Sequence, residues 1–408
     1  MKRTLSCILA VLLLFLLSGC KPIEDFLSAI DWNGKTDNIE VQSINPHTMD
    51  EEELKKSNCY SELDSEQQRI YNMMYTAVSD MQIGWIDLGK CRSEYIADIS
   101  VAYQALSSDN PQLFWMPYNY IVSKTGSGEK SKVNIAFSHT SGKVSCDYLI
   151  DKSERDKMVK ALDEKVAEIT NAVKTNTAYD KELYFHDFIC NTVKYSKDKS
   201  NSLIYTAYGA LINGSAVCEG YSRAMQLLCQ KAGIPCVVVS GSSKNEGHMW
   251  NIINPCDGWY HLDVTWDDQE EIDTPIYSYF NLTDEGILKT HKISPHYTDI
   301  KIDGNKPNFN ILNKECNKTT YNYFLYSNLL FSKNDISSVA QSILNAAEKG
   351  KTNLQFQFES NEFSADFAAD YQTYITRIQR RLNSSKGVKA PQIDNISLID
   401  GYVIFYWN

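Results

Sequence analysis

Apolar positions recur at two different periods along this chain, and the switches between them mark out its elements. Ile70, Met73, Met74, Ala77, Val78 and Met81 fall at helical spacing, so a helix is predicted from Asp64, capped by Asp64 or Ser65. A second is predicted from Glu94 to Leu106, broken by Asp109-Asn110-Pro111. Phe114 to Val122 and Lys132 to Phe137 read as strands joined by a Gly126-Ser127-Gly128 turn. Helices follow from Ser153 to Val173 and from Asp180 to Val193. Tyr221, Ala224, Met225, Leu228 and Ala232 share one face of a helix that starts near Cys218 and stops at Gly233, with Pro235 just beyond. Val237 to Val239 reads as a buried strand, and Met249 to Ile253 and Tyr260 to Trp266 as a hairpin across residues 254–258. After Tyr321 the pattern restarts: strand Tyr323 to Phe331, helix Asp335 to Lys349, strand Leu354 to Phe358, helix Ala365 to Leu382 and strand Ile396 to Trp407.

The N-terminus reads as an address. Lys2 and Arg3 precede the apolar run Leu5 to Leu17, which is too short to span a bilayer, and the run ends in Leu17-Ser18-Gly19-Cys20. That ending resembles a bacterial lipobox, which implies removal of residues 1–19 and acylation of Cys20, with the protein held on the outer face of a membrane. Residues 20–58 are polar and irregular and read as a tether. Loss of Lys2 and Arg3 takes the formal charge from −11 to −13. That balance argues against nucleic acid and anionic lipid surfaces as partners, since both would repel it. Of the eleven cysteines, removal of Cys7 and lipidation of Cys20 leave nine. Their spacing has no compact disulfide pattern, and several sit in apolar runs where a thiol serves as a small core residue.

The candidate chemistry lies in Gly214-Ser-Ala-Val-Cys218-Glu-Gly-Tyr, Gly247-His248-Met-Trp250-Asn251 and Trp259-Tyr-His-Leu-Asp263. Cys218 falls at the start of its helix, where unpaired N–H groups and the helix dipole favour a thiolate and offer donors to an oxyanion. The hairpin places His248 opposite Asp263, give or take one residue, with His261, Asp263 and Thr265 on one face and Leu262, Val264 and Trp266 on the other. In that arrangement Asp263 orients His248, and His248 shares the Cys218 proton.

These three stretches resemble the transglutaminase-like superfamily of papain-type thiol enzymes, in its bacterial secreted branch. The match covers residues 180–285 well, including Tyr205-Thr-Ala-Tyr208-Gly-Ala-Leu before the nucleophile, and is weaker over 60–125, where Asp109-Asn-Pro-Gln-Leu-Phe-Trp115 resembles an N-terminal feature of similar exported proteins. The resemblance implies an α+β, papain-like core with a catalytic Cys218, His248 and Asp263, working on amides through a thioester that water or an amine resolves. Tyr208 is an oxyanion candidate or a core tyrosine. The expected layout is a helical and stranded N-terminal region over 59–150, the transglutaminase-like domain over 151–305 and a C-terminal α/β module over 306–408.

The surrounding residues are less specific. His261 is either a partner supporting the triad or an exposed residue, and Trp250, Trp259 and Trp266 wall the pocket or belong to the core. A zinc site from Cys229, Cys236, His248 and Cys256 lacks short Cys-x-x-Cys pairs, so no metal or cofactor is expected. Asp267-Asp268 and Glu270-Glu271 read as a solvated charged loop without calcium-loop spacing. The expectation is thus a surface-anchored peptidase, amidase or acyltransferase acting on protein or cell-wall peptide, with a non-catalytic binding module on the same fold as its rival.

Overall fold

The computed structural model describes residues 57–125, 132–138, 148–294, 314–332, 335–359, 361–385, 390–399 and 402–408, with the two-residue strands 9–10 and 41–42. Asp64 caps the first helix, Ser65–Ser79, by accepting from the N–H groups of Glu66 and Gln67, while Gln67 reaches back to the Asp64 N–H. Helix Tyr95–Asp109 packs against it. Beside the pair lies a sheet in which Asn119–Thr125 and Lys132–Ser138 run antiparallel. Lys132–Ser138 also pairs with Trp85–Gly89, a strand the pattern does not announce because its five residues carry no clear alternation. Leu9–Ala10 and Val41–Gln42 lie at the sheet's edges. Phe114 to Tyr118 is not strand as expected: tight turns at Asn110 and Leu113 bury Phe114 and Trp115, and the Trp115 indole donates to the Val78 carbonyl. The Gly126-Ser127-Gly128 turn, Cys146 and the lipidation candidate Cys20 lie outside the described residues.

The Asp109 motif joins this layer to the rest. Its buried carboxylate accepts from the Ser57 hydroxyl and from the N–H groups of Asn58, Cys59 and Tyr60. Arg223, Gln226 and Gln230, spaced along one side of the Cys218 helix, donate to the carbonyls of Ser107, Ser108 and Asp109. Three carbonyls left open by the end of one helix are thus satisfied by side chains of another.

The central layer stacks helices Lys152–Ala172, Ala178–Thr192 and Cys218–Lys231 with a four-stranded antiparallel sheet. The Cys218 helix ends where Gly233 takes φ 74°, as its sequence predicts. The strand order is Tyr260–Leu262, Glu246–Ile253, Cys236–Ser243, His291–Ile293. Lys244 and Asn245, at φ 51° and 65°, make the two-residue turn that sets the register and puts His248 opposite Gly241. One expectation is corrected here. The Tyr260 strand stops at Leu262, paired with Asn251, and Asp263 turns the chain into a short helix, Val264–Asp267. Strand alternation therefore does not govern Asp263, Thr265 or Trp266.

The last sheet has the order Leu330–Phe331, Asn353–Phe358, Tyr402–Trp407, Ile393–Ile399, backed by helices Ile336–Glu348 and Asn361–Asn383. Tyr323 to Tyr326 is helix rather than strand, and the expected final strand is a hairpin of two. The fold is α+β, and one hydrophobic cluster runs from Cys59 to Trp407 through all three layers. No helix among the described residues is long and apolar enough to cross a membrane.

Candidate active site

Cys218 is the first residue of its helix, following Val217 in extended conformation (φ −101°, ψ 179°). Its backbone is held from behind: Val217 N–H donates to Ile204 O at 3.0 Å, and Lys194–Tyr195 pairs in parallel with Ser215–Ala216. Gly220 permits this closeness, since a Cβ there would sit 2.4 Å from Ile204 O and 2.7 Å from the Ala216 methyl. Cys218 is partly buried. The Tyr195 hydroxyl accepts a hydrogen bond from the Cys218 backbone, and Tyr195 is 41% exposed.

His248 comes from the neighbouring strand and is 8% exposed, while Asp263 is fully buried. His248 Nε2 lies 2.6 Å from Asp263 Oδ2, and Cys218 stands near enough to the ring to favour its charged form. With Nε2 on the carboxylate, Nδ1 is the nitrogen left for the thiol. Burial alone would push the imidazole down, but the Asp263 charge and hydrogen bond, helped by Cys218, carry it up to about 10. Burial likewise pushes the Asp263 carboxyl up, and His248 and then His291 overcome it, bringing it down to about 2. The other carboxylate oxygen, Oδ1, caps the short helix by accepting from Thr265 N–H at 3.0 Å and Trp266 N–H at 3.2 Å. The structure thus brings Cys218, His248 and Asp263 together by a route other than cross-strand pairing.

Tyr208 sits on helix Ala207–Leu211 with its ring stacked on Phe114, centroids 4.8 Å apart. Trp250 is buried and lies nearly parallel to the His248 ring at 5.9 Å, and Trp266 meets that ring edge-on at 6.2 Å. His261 is fully buried rather than exposed. Its Nδ1 accepts from the Trp250 indole at 3.0 Å and its Nε2 lies 2.9 Å from Asp284, so it supports the tryptophan that flanks His248.

Two further histidines lie outside the three sequence motifs. His291 Nε2 lies 3.0 Å from the same Asp263 Oδ2 that engages His248. His186 is buried between Asp187 (2.9 Å) and Asp267 (3.2 Å), with Cys190 Sγ at 3.8 Å. Burial would lower its imidazole, but Cys190 and the two carboxylates hold it well above the usual histidine range. Asp267 and Asp268 are accordingly not a solvated loop: Asp267 is buried against His186, and Asp268 accepts from the Tyr221 hydroxyl at 2.6 Å. Neither histidine stands in a motif; only their neighbours in space identify them.

Among the described residues, two trios hold metal-type ligand atoms within 4.8 Å of one another: His248–Asp263–His291 and His261–Asp284–Cys316. In the second, the Trp250 indole is a donor only, so His261 Nδ1 is an acceptor and Nε2 carries the proton it gives Asp284. A metal on Nε2 would demand an imidazolate there. The first trio is accounted for by the hydrogen bonds already given.

Residues 156–264 match the model of the transglutaminase-like superfamily. The kyphoscoliosis peptidase of Mus musculus is 26% identical over 132 residues, covering 28% of this chain and 20% of that protein. The Homo sapiens kyphoscoliosis peptidase is 24% identical over 158 residues, covering 34% of this chain and 23% of its own length. The chain therefore spans about a fifth of the length of these relatives. A crystal structure of a TGase aligns with a TM-score of 0.26 and 15% identity over 39% of this chain and 47% of that one.

Proposed function

Because residues 156–264 match the transglutaminase-like superfamily model, we propose that this protein is a cysteine-dependent amide hydrolase or acyltransferase with Cys218 as nucleophile, His248 as proton carrier and Asp263 as its orienting acid. The observation that carries this reading is a partly exposed cysteine that interacts with the His248 ring, whose Nε2 lies 2.6 Å from a buried carboxylate. With the imidazole raised to about 10, His248 is charged at neutral pH and sets a cation beside Cys218. This departs from the simplest expectation of a neutral base: the ring begins the cycle as the acid.

The steps follow from those charges. The Cys218 sulfur adds to the amide carbonyl carbon, and the oxyanion is met by N–H groups at the helix start. Tyr195, whose hydroxyl interacts with the Cys218 backbone, joins Tyr208 as a candidate second donor. The C–N bond then breaks, His248 gives its proton to the departing amine, and an acyl thioester remains on Cys218. Neutral His248 next takes a proton from water, whose oxygen attacks the thioester; the acid leaves and the thiolate–imidazolium pair returns. An amine in place of water would give transfer, and we favour water as the acceptor available at an exposed surface. Protein or cell-wall peptide is the proposed substrate.

We place the protein outside the cytoplasm, held by lipid on Cys20, on the strength of Leu17-Ser18-Gly19-Cys20. Processing would remove Leu9–Ala10, a two-residue strand at a sheet edge, and leave the strand it pairs with in place.

The test is alkylation of Cys218 across pH in wild type and in His248→Ala. The proposal expects rapid labelling of the wild type down to about pH 6, and labelling of the variant only as pH rises through about 8.5. Equal, slow labelling of both would leave a binding module on an idle fold.

A further inference from the structure

The strand His291–Ile293 is three residues long and forms one edge of the central sheet, pairing with Gly241–Ser243. Two of its three side chains, Lys292 and Ile293, are exposed, and the only one it buries is a histidine. An element retained for hydrophobic packing would turn an apolar side chain inward. His291 is instead 1% exposed and ringed by Trp250, Trp266, Tyr279 and His248, with centroids 5.0, 5.1, 5.5 and 5.3 Å away.

Its two nitrogens are both engaged. Nε2 lies 3.0 Å from Asp263 Oδ2, and Nδ1 lies 2.8 Å from the Thr290 hydroxyl. An ionised carboxylate only accepts, so Nε2 carries a hydrogen; the Thr290 hydroxyl has the Ile287 carbonyl at 3.4 Å as a second acceptor, and the shorter 2.8 Å contact to Nδ1 is the one it favours as donor. Asp263 then has four donors: two backbone N–H groups on Oδ1 and two imidazoles on Oδ2. The cap hydrogen bonds fix one oxygen, and His291 fixes the other where His248 meets it. The charged and titratable groups around this centre include Cys218 on His248, His261 across the Trp250 ring, Tyr279 against His291, Asp267 one turn beyond Asp263, and Lys244, whose ammonium lies 4.4 Å over the Trp266 ring.

We propose that His291 is a positioning residue: through its Nε2–H it holds the Asp263 carboxylate on His248, and the Thr290 hydroxyl selects the tautomer that allows it. The inference deepens the proposed chemistry at Cys218, but its test does not depend on turnover.

The experiment is a ring-nitrogen NMR titration of the full chain labelled with 15N-histidine, of which there are only seven residues. In wild type, His291 should show the Nε2–H tautomer. In His291→Ala, the midpoint for loss of the His248 imidazolium should fall by about one pH unit, because the carboxylate that favours that charge is no longer held against it. His291→Gln, whose amide also donates, should restore the midpoint, and Thr290→Val should lower it with His291 intact. A His248 midpoint unchanged in His291→Ala and Thr290→Val, or an Nδ1–H tautomer in wild type, overturns the inference. Should His291→Ala fail to fold, the glutamine and valine variants still decide it. Failure of Cys218 to alkylate in a His248-dependent way would end the enzymatic reading and leave this result standing.

Discussion

At the residue scale the site depends on how many donors one carboxylate collects. Asp263 binds its four hydrogens without any contact to solvent, so replacing it by asparagine keeps the cap oxygen but turns an amide donor toward His248 and His291. Two rings that need an acceptor then face a donor. Asp263→Asn should return the His248 titration from about 10 to the ordinary histidine value near 6.5 or below, read by the same NMR titration. It should also cost about 3–5 kcal/mol in denaturant unfolding, the usual penalty for breaking a buried ion pair from one side. The pH dependence follows from the signs. His248, raised on folding, contributes stability that is complete below about pH 6.5 and lost as pH climbs through about 10. Asp263, lowered on folding, contributes stability that is complete above about pH 4 and lost as pH falls through about 2.

At the scale of elements, the site is an agreement among chain ends. A helix start supplies Cys218, a helix cap supplies Asp263, and strands supply His248 and His291. Gly220 sets how closely the Cys218 helix approaches the chain behind it, and the obstacles to a side chain there are the Ile204 carbonyl and the Ala216 methyl, which have no flexible end to swing aside. Gly220→Ala should therefore shift the helix start, with a loss of about 1–3 kcal/mol in thermal or chemical unfolding. It should also slow Cys218 alkylation after correction for the folded fraction. Normal alkylation in a destabilised protein would mean that the sulfur's position is set elsewhere.

Across the whole molecule, the central layer is fastened to its neighbours by buried polar groups. Glu182, on helix Ala178–Thr192, accepts from the Asn281 amide, which also donates to the Tyr321 carbonyl on the way to the last sheet. Burial, only partly offset by Asn281 and His186, pushes Glu182 up to about 8. A raised carboxylate holds its proton longer in the folded chain than in the unfolded one, so stability falls as pH rises from about 4.5 to about 8. Glu182→Gln should remove much of that decline. Melting curves should show little difference between variant and wild type near pH 5 and a more stable variant near pH 8; parallel curves at both would mean that Glu182 ionises freely.

Periodicity alone marks out most helices, because a long amphipathic stretch such as Leu162, Val166, Ile169 declares its buried face without help from partners. The three motifs around Cys218, His248 and Asp263 are likewise legible, since each places a reactive side chain beside a local start, turn or cap that the same residues create. What no local pattern holds is how separate segments meet. The strand ending at Leu262, the burial of Asp267 against His186 and the arrival of His291 at Asp263 depend on contacts between segments up to 81 residues apart. A short strand that buries one histidine has no period to read, and its role exists only once the sheet has brought it beside the carboxylate.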